Sequence, residues 1–307
     1  MLNEQAKQDI MVAFGLNEEE CEVVFKSSFY IIRPTNRNGQ VHIMFIINAD
    51  VFRHYNLEFR NCVFDNFSLT HESINKQIRF QRCTFKKCSL DRCVFKKFVN
   101  FNFGNFNSSF SGDFICQDTI FKDIVYFIKT SFKGKADFSR SRFKERAFFS
   151  ESTFEQKANF AEVIFDHNAY FDKIIFSNEV TFDESEFCRH AHFYGTRFNT
   201  FPNFAQTIFD GSINLTNVEN MELNTAIDSL KEKIEGIYEQ RKENYNKKQD
   251  KNPEKEPQKY EIANELRDSF RAIKSALIRD NNMLDAHDYE KLEQYCKEIE
   301  SEYRNSN

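Results

Sequence analysis

The chain has 307 residues, 40% of them hydrophobic and 29% charged, with a net charge of −5. That balance suits a soluble protein with ample core and argues against a generally basic nucleic-acid binder. Its composition is unusual in two ways: 37 Phe with no Trp, and only 8 Gly with 4 Pro, few for a fold of many irregular turns.

The N-terminus, MLNEQAKQDI, lacks the basic-then-apolar build of a signal peptide. The longest apolar runs, such as IMFII at 43–47, fall far short of the roughly 20 residues a membrane helix needs. A cytoplasmic protein is expected, with its eight Cys as thiols. Residues 3–14 read as a short helix. EVVFKSSFYIIRP and QVHIMFII then flank TNRNG and read as a hairpin turning there. Together, residues 1–51 read as an N-terminal cap of helix plus hairpin.

From residue 121 the chain keeps a beat that fits neither a helix nor an ordinary strand. Phe stands at 121, 127 and 132, then at Phe138, Phe143, Phe149, Phe154, Phe160, Phe165, Phe171, Phe176, Phe182, Phe187, Phe193, Phe198, Phe204 and Phe209, with gaps alternating strictly between 6 and 5. A fixed period of this kind marks a repeat architecture. The residue two before each Phe is small or modest, as at Ala136, Ser141, Ala147 and Ser152. In an extended segment those two side chains share one face. Each short side therefore sends one small and one large group inward. For a 5-residue side to stack on another of the same length, the coil needs an even number of sides, and four gives a 22-residue coil. Upstream the beat is a plainer five: Phe59, Phe64, Leu69 and Ile74, then Phe80, Phe85, Leu90 and Phe95. Coil starts are expected at 59, 80, 101, 121, 143, 165, 187 and 209. A distorted coil is expected between Phe101 and Phe121, where Phe103, Phe110 and Phe114 compete for positions.

These residues resemble the pentapeptide-repeat family, whose units centre on Leu or Phe with a small residue two positions before. NCVF, RCTF, KCSL and RCVF match well, as do ANF at 158–160 and ADF at 136–138. The resemblance covers about 52–217 and is strongest to a Phe-rich bacterial subset. It implies a mainly β fold: a right-handed, four-sided (quadrilateral) β-helix solenoid of about seven to eight coils. An N-terminal cap and a C-terminal α-helical module complete the expected architecture.

After Leu215 the period changes. Leu223, Ile227, Leu230, Ile234 and Ile237 line one helix face, giving a capping helix at 218–241. The charged segment 242–259 reads as a linker. Residues 260–307 read as a helical hairpin, with NNMLD as the connection and the last helix beginning at Asp285, with Asp288 at a capping-box position. Its apolar faces carry Leu266, Phe270, Ile273, Leu277, Tyr289, Leu292 and Ile299, the candidate partner-docking residues. They are expected to dock on the solenoid end, on a second copy, or on another protein. The tail is similar to one that precedes membrane helices in some bacterial relatives. Membrane association through missing or partner segments therefore stays open as the alternative.

The search for chemistry points to no catalytic residue, no cofactor and no metal site. Cys62, Cys83, Cys88 and Cys93 occupy inward small positions and lack zinc-pair spacing. CRHAH at 188–192 places His190 and His192 beside Cys188, in a phase that directs them to solvent. No phosphate loop, His-Glu-x-x-His or nucleophile elbow is present. The resemblance also suggests a DNA mimic that binds a topoisomerase such as gyrase. Charge counts oppose that reading: Lys+Arg 18 against Asp+Glu 9 in 52–150, then 4 against 10 in 151–217. A duplex mimic needs negative charge along its whole length. The expected function is a non-enzymatic scaffold with an unknown protein partner or self-association, and no nucleic acid.

Overall fold

The computed structural model describes residues 2–36, 38–46, 48–102, 107–219, 227–247 and 256–305. Short strands from successive coils pair in parallel into four sheets, one on each side of a β-solenoid of about eight turns. The first side runs through Leu57–Arg60, Ile78–Gln81, Val99–Asn100, Val125–Tyr126, Ala147–Phe148, Ala169–Tyr170, Ala191–His192 and Ile213–Asn214. The second side includes Thr153–Phe154, the third Ala158–Asn159 and the fourth Ile164–Phe165. From Val125 onward on this side, register advances by one 22-residue coil, as in Ala147↔Ala169 and Ala169↔Ala191.

Opposite sides are alike, and this explains the alternating 6 and 5. On the first and third sides the strand opens with the small inward residue and the Phe follows it. On the second and fourth sides the strand ends on the Phe. All fourteen Phe of the beat from Phe138 to Phe209 are buried at 2% exposure or less. Rings of one column lie nearly parallel, as in Phe138–Phe160 at 4.8 Å and 4°. Rings of neighbouring columns meet edge to face, as in Phe149–Phe160 at 5.5 Å and 88°. Both are favourable quadrupole arrangements.

Few glycines are needed because other residues accept the turn geometry. Every eleventh residue from Asp118 to Asn217 has a positive φ, between 52° and 64°, and only Gly195 among them is glycine. Each is the third residue of a turn such as Phe138–Ser141, where the Ser141 N–H donates to the Phe138 carbonyl at 3.2 Å. The inward hydroxyls lace coil to coil: Thr207 Oγ1 donates to the Phe182 carbonyl at 2.7 Å, and Ser185 Oγ to the Phe160 carbonyl at 2.5 Å. A non-glycine residue in this conformation costs about 1–2 kcal/mol. Gln206→Gly is therefore expected to stabilise the chain, by up to about 1 kcal/mol after the extra unfolded-state entropy of glycine. A higher urea midpoint would show it, and an unchanged or lower one would refute it.

The coil starts need one correction. Phe101 stacks on Phe127, at 4.7 Å and 9°, and Phe121 stacks on Phe95 on the fourth side. Register there jumps from Val99 to Val125, so this coil is longer than its neighbours. Phe110 takes the large position of the second side, while Phe114 takes the small position of the third with Cys116 in the large one. Phe103 lies outside the described residues.

At the N-terminal end α1 (Leu2–Ala13) lies over the first coil, and Phe14 meets Phe59 edge-on at 5.2 Å. Strands β1 (Cys21–Lys26) and β2 (Phe29–Pro34) form the hairpin, and β2 joins the first side in parallel with Leu57–Phe59. The turn sits at Ser27–Ser28, both with positive φ, and not at TNRNG. Positive φ at both central residues matches the twist of a tight hairpin. The TNRNG region instead leads to β3 (Val41–Ile43), which pairs in parallel with Cys62–Phe64 on the second side. A one-turn helix, α2 (Val51–His54), buries Phe52 against Phe14.

The tail contains α3 (Ile227–Asn246), α4 (Lys259–Arg279) and α5 (Met283–Asn305). α3 continues five residues past 241, so that part of the expected linker is helical. Leu223 and residues 248–255 lie outside the described residues. The connection before α5 is 280–282, shorter than NNMLD, because Met283 and Leu284 are already helical. Its cap is Asn282, three residues before Asp285: Asn282 Oδ1 accepts from the Asp285 N–H at 3.4 Å, and Asn282 Nδ2 donates to Asp285 Oδ2 at 2.7 Å.

Candidate functional site

A core filled with Phe leaves function to the seams and the outer surface. One seam is a cleft of about 720 Å³ between the later coils and helices α3 and α4, with Glu179, Thr181, Arg241 and Glu265 in its wall. Arg241 donates to both Glu265 oxygens, at 3.0 and 2.7 Å, and lies 3.9 Å from Glu179. Burial alone would lower the Arg241 guanidinium, but Glu265 outweighs it and holds it above its usual range. These charges neutralise one another and fasten the helices to the solenoid.

At the neighbouring seam the Asp183 carboxyl is pushed up to about 6, first by burial and then by Glu184, Glu265 and Asp268. Its environment is repulsive. The folded chain holds this proton more tightly than the unfolded chain, so ionisation costs stability as pH rises from about 4 to about 6. Below that window the cost is absent. Asp183→Asn is expected to raise stability near pH 7 by about 1 kcal/mol, because solvent at this half-exposed group screens the effect. Near pH 4 it should change little. Thermal melts at both pH values check this, and a gain of equal size at both would refute it.

The cysteines and histidines make other contacts. All eight thiols are free. Cys62, Cys83, Cys88 and Cys93 are buried, and burial pushes the Cys93 thiol up to about 12. Cys188 donates to Glu186, and His192 lies flat on Tyr170 at 4.7 Å. Among the described residues no group of three metal-ligating side chains converges.

The seven candidate docking residues are covered within the chain. Leu266, Phe270, Ile273, Leu277, Tyr289, Leu292 and Ile299 are all at most 5% exposed. They pack α4 against α5 and onto the last coil, where Phe270 meets Phe201 at 5.0 Å. The edge groups of that coil are satisfied from α4 and the residue after it. The Phe204 N–H donates to Ser269 Oγ at 2.9 Å, the Ile213 N–H donates to Asp280 Oδ2 at 3.0 Å, and Arg279 donates to the Phe209 carbonyl. An apolar helix face adjoining an open coil end finds its largest burial there.

The first side instead carries an outer aromatic column. Tyr126, Phe148, Tyr170 and His192 stack at 5.1, 4.6 and 4.7 Å, within 13° of parallel, and are half-buried. Their faces are spent on one another, and their edges form an apolar strip. At the corner that leads into this side, Lys96, Lys122 and Lys144 hold equivalent places in successive coils and are exposed. The same row continues with Asp166, Cys188 and Asp210. The column falls at the residue before every second core Phe, from Phe127 to Phe193.

The family model "Pentapeptide repeats (9 copies)" matches residues 117–164 and 127–175, within the coils where the beat is strictest. The chain is a pentapeptide-repeat protein. Searches of curated proteins and of solved structures find no match to it. No helix of this pentapeptide-repeat protein, among the described residues, is long and apolar enough to cross a membrane.

Proposed function

We propose that this pentapeptide-repeat protein is a non-enzymatic scaffold that holds a protein partner on the outer face of its solenoid. The observation that carries this reading is the half-exposed aromatic column of the first side, bordered by exposed lysines. Aromatic residues with a charged rim are the composition of protein interfaces. Among the described residues the cleft's Arg241 is paired with Glu265 and Glu179, which fastens α3 and α4 to the coils.

Crosslinking of the full chain in native lysate, with the crosslinked residues mapped by mass spectrometry, tests it. Crosslinks to a specific protein from Lys122, Lys144 or their neighbours are expected. Crosslinks confined to the cleft between α3 and the later coils, or turnover of a small molecule by the purified chain, would overturn it.

A further inference from the structure

We propose that two copies of this chain pair antiparallel through the first side, with a two-fold axis crossing the aromatic column between Phe148 and Tyr170. The inference rests on the scaffold reading of the outer face and deepens it by naming the partner as a second copy.

The charges along the corner before the first side carry the argument. A two-fold axis lying in the interface and perpendicular to the rod sets each corner against the same corner of the other copy, in reversed order. With the axis at the middle of the column, Tyr126 meets His192 and Phe148 meets Tyr170. In the coil row of Phe148, Lys144 then stands opposite Asp166 and Glu145 opposite His167. One coil further out, Asp123 stands opposite Arg189, and beyond that Lys96 opposite Asp210. At the other corner of the same side, Glu151 stands opposite Lys173. Each of these matches occurs twice in the pair, and no like charges meet in these rows.

Shifting the axis by half a coil destroys the match. Centred on Phe148, it sets Lys144 against Lys144 and Glu151 against Glu151. Centred on Tyr170, it sets Asp166 against Asp166 and Lys173 against Lys173. Repulsion in the neighbouring registers is what selects one alignment. The intrachain pairing leaves cations free for this. Among the described residues Lys96, Lys144, Lys173 and Arg189 make no ion pair; of the anions set against them, Asp166 already holds Arg142 and Glu151 holds Lys129, so Asp123–Arg189 and Lys96–Asp210 are the matches of Lys or Arg with a carboxylate that have no intrachain ion pair at either end. The opposite charge balance of the two halves of the solenoid, basic before 150 and acidic after it, is what an antiparallel pair brings together.

Sedimentation equilibrium of the purified full chain at low and high salt tests the proposal. A dimer at low salt that weakens as salt rises is expected. K96E/R189E, at two exposed positions, places like charges at four points of the pair and should weaken it roughly 10- to 100-fold. Adding D123K and D210K to that variant restores opposite charges and should bring association back to within about threefold of wild type. A monomer at low salt, a dimer indifferent to K96E/R189E, or failure of the fourfold variant to recover would each overturn the pairing. A monomer whose crosslinks to a foreign protein map to the first side would overturn the pairing and leave the scaffold reading standing.

Discussion

Phe160→Ala is expected to destabilise the solenoid by about 3–5 kcal/mol, among the largest effects of any single truncation in this chain. The ring has no exposure. It is stacked between Phe138 at 4.8 Å and Phe182 at 5.1 Å, and it receives the edges of Phe149 and Phe171 at 5.5 and 5.4 Å. Removing it opens a void that these neighbours cannot fill, since each is held in its own column by backbone pairing above and below. The outer column supplies an internal control. Phe148→Ala removes a ring with comparable stacking partners, Tyr126 and Tyr170, but one that is already half in water. Its loss should cost about 1 kcal/mol. Urea unfolding of the two variants side by side measures the difference. Equal losses would mean that the axial stack contributes no more than surface packing, and the energetic account of the fold would fail.

Because each coil touches only its neighbours, the damage at Phe160 should spread unevenly. Amide exchange is expected to quicken most in the coils holding Phe138 and Phe182, and less in those next to either cap.

The parts of this architecture that were legible in the sequence are those governed by strict repetition. A Phe every 6 and 5 residues leaves one solution for where each side chain points, and the four-sided coil follows from stacking like on like. Where repetition breaks, geometry had to decide. Phe67 and Phe114 are inward and buried, yet they sit at positions normally held by Ala or Ser. They fit because the partner two residues later is the shorter Leu69 or Cys116, so the pair conserves inward volume with its order reversed. A reading that looks only for the large residue second cannot see that exchange. The hairpin was not legible as drawn: both its strands lie within CEVVFKSSFYIIRP, because two serines with positive φ make a turn that carries no strong compositional signal, while QVHIMFII on the far side of TNRNG joins the second side of the solenoid. The tail shows the same limit in another form. Its apolar faces were evident at helical spacing, whereas what covers them depends on the shape of the last coil. The outer column fell between the two cases: the 22-residue recurrence of Tyr126, Phe148, Tyr170 and His192 is visible once the coil length is known.

Phe270→Ala is expected to cost a similar amount, about 3–5 kcal/mol, but to release it at one end of the molecule. Phe270 is 2% exposed and joins Phe201 of the last coil, at 5.0 Å, to Tyr289 of α5, at 6.0 Å. Without it the helical module keeps its mutual α4–α5 packing but loses much of its hold on the solenoid. The consequence reaches the backbone. The N–H groups of Phe204 and Ile213 and the carbonyl of Phe209 would lose Ser269, Asp280 and Arg279, and an unpaired strand edge is a template for association. The variant should therefore lose amide protection at Phe204 and Ile213 while the coils around Phe160 stay protected, and it should scatter light on mild heating before the solenoid itself unfolds. Unaltered protection at Phe204 and Ile213 would show that the last coil closes itself. The tail would then be a passenger on the rod, and its burial of seven apolar side chains would have to be explained by the α4–α5 pair alone.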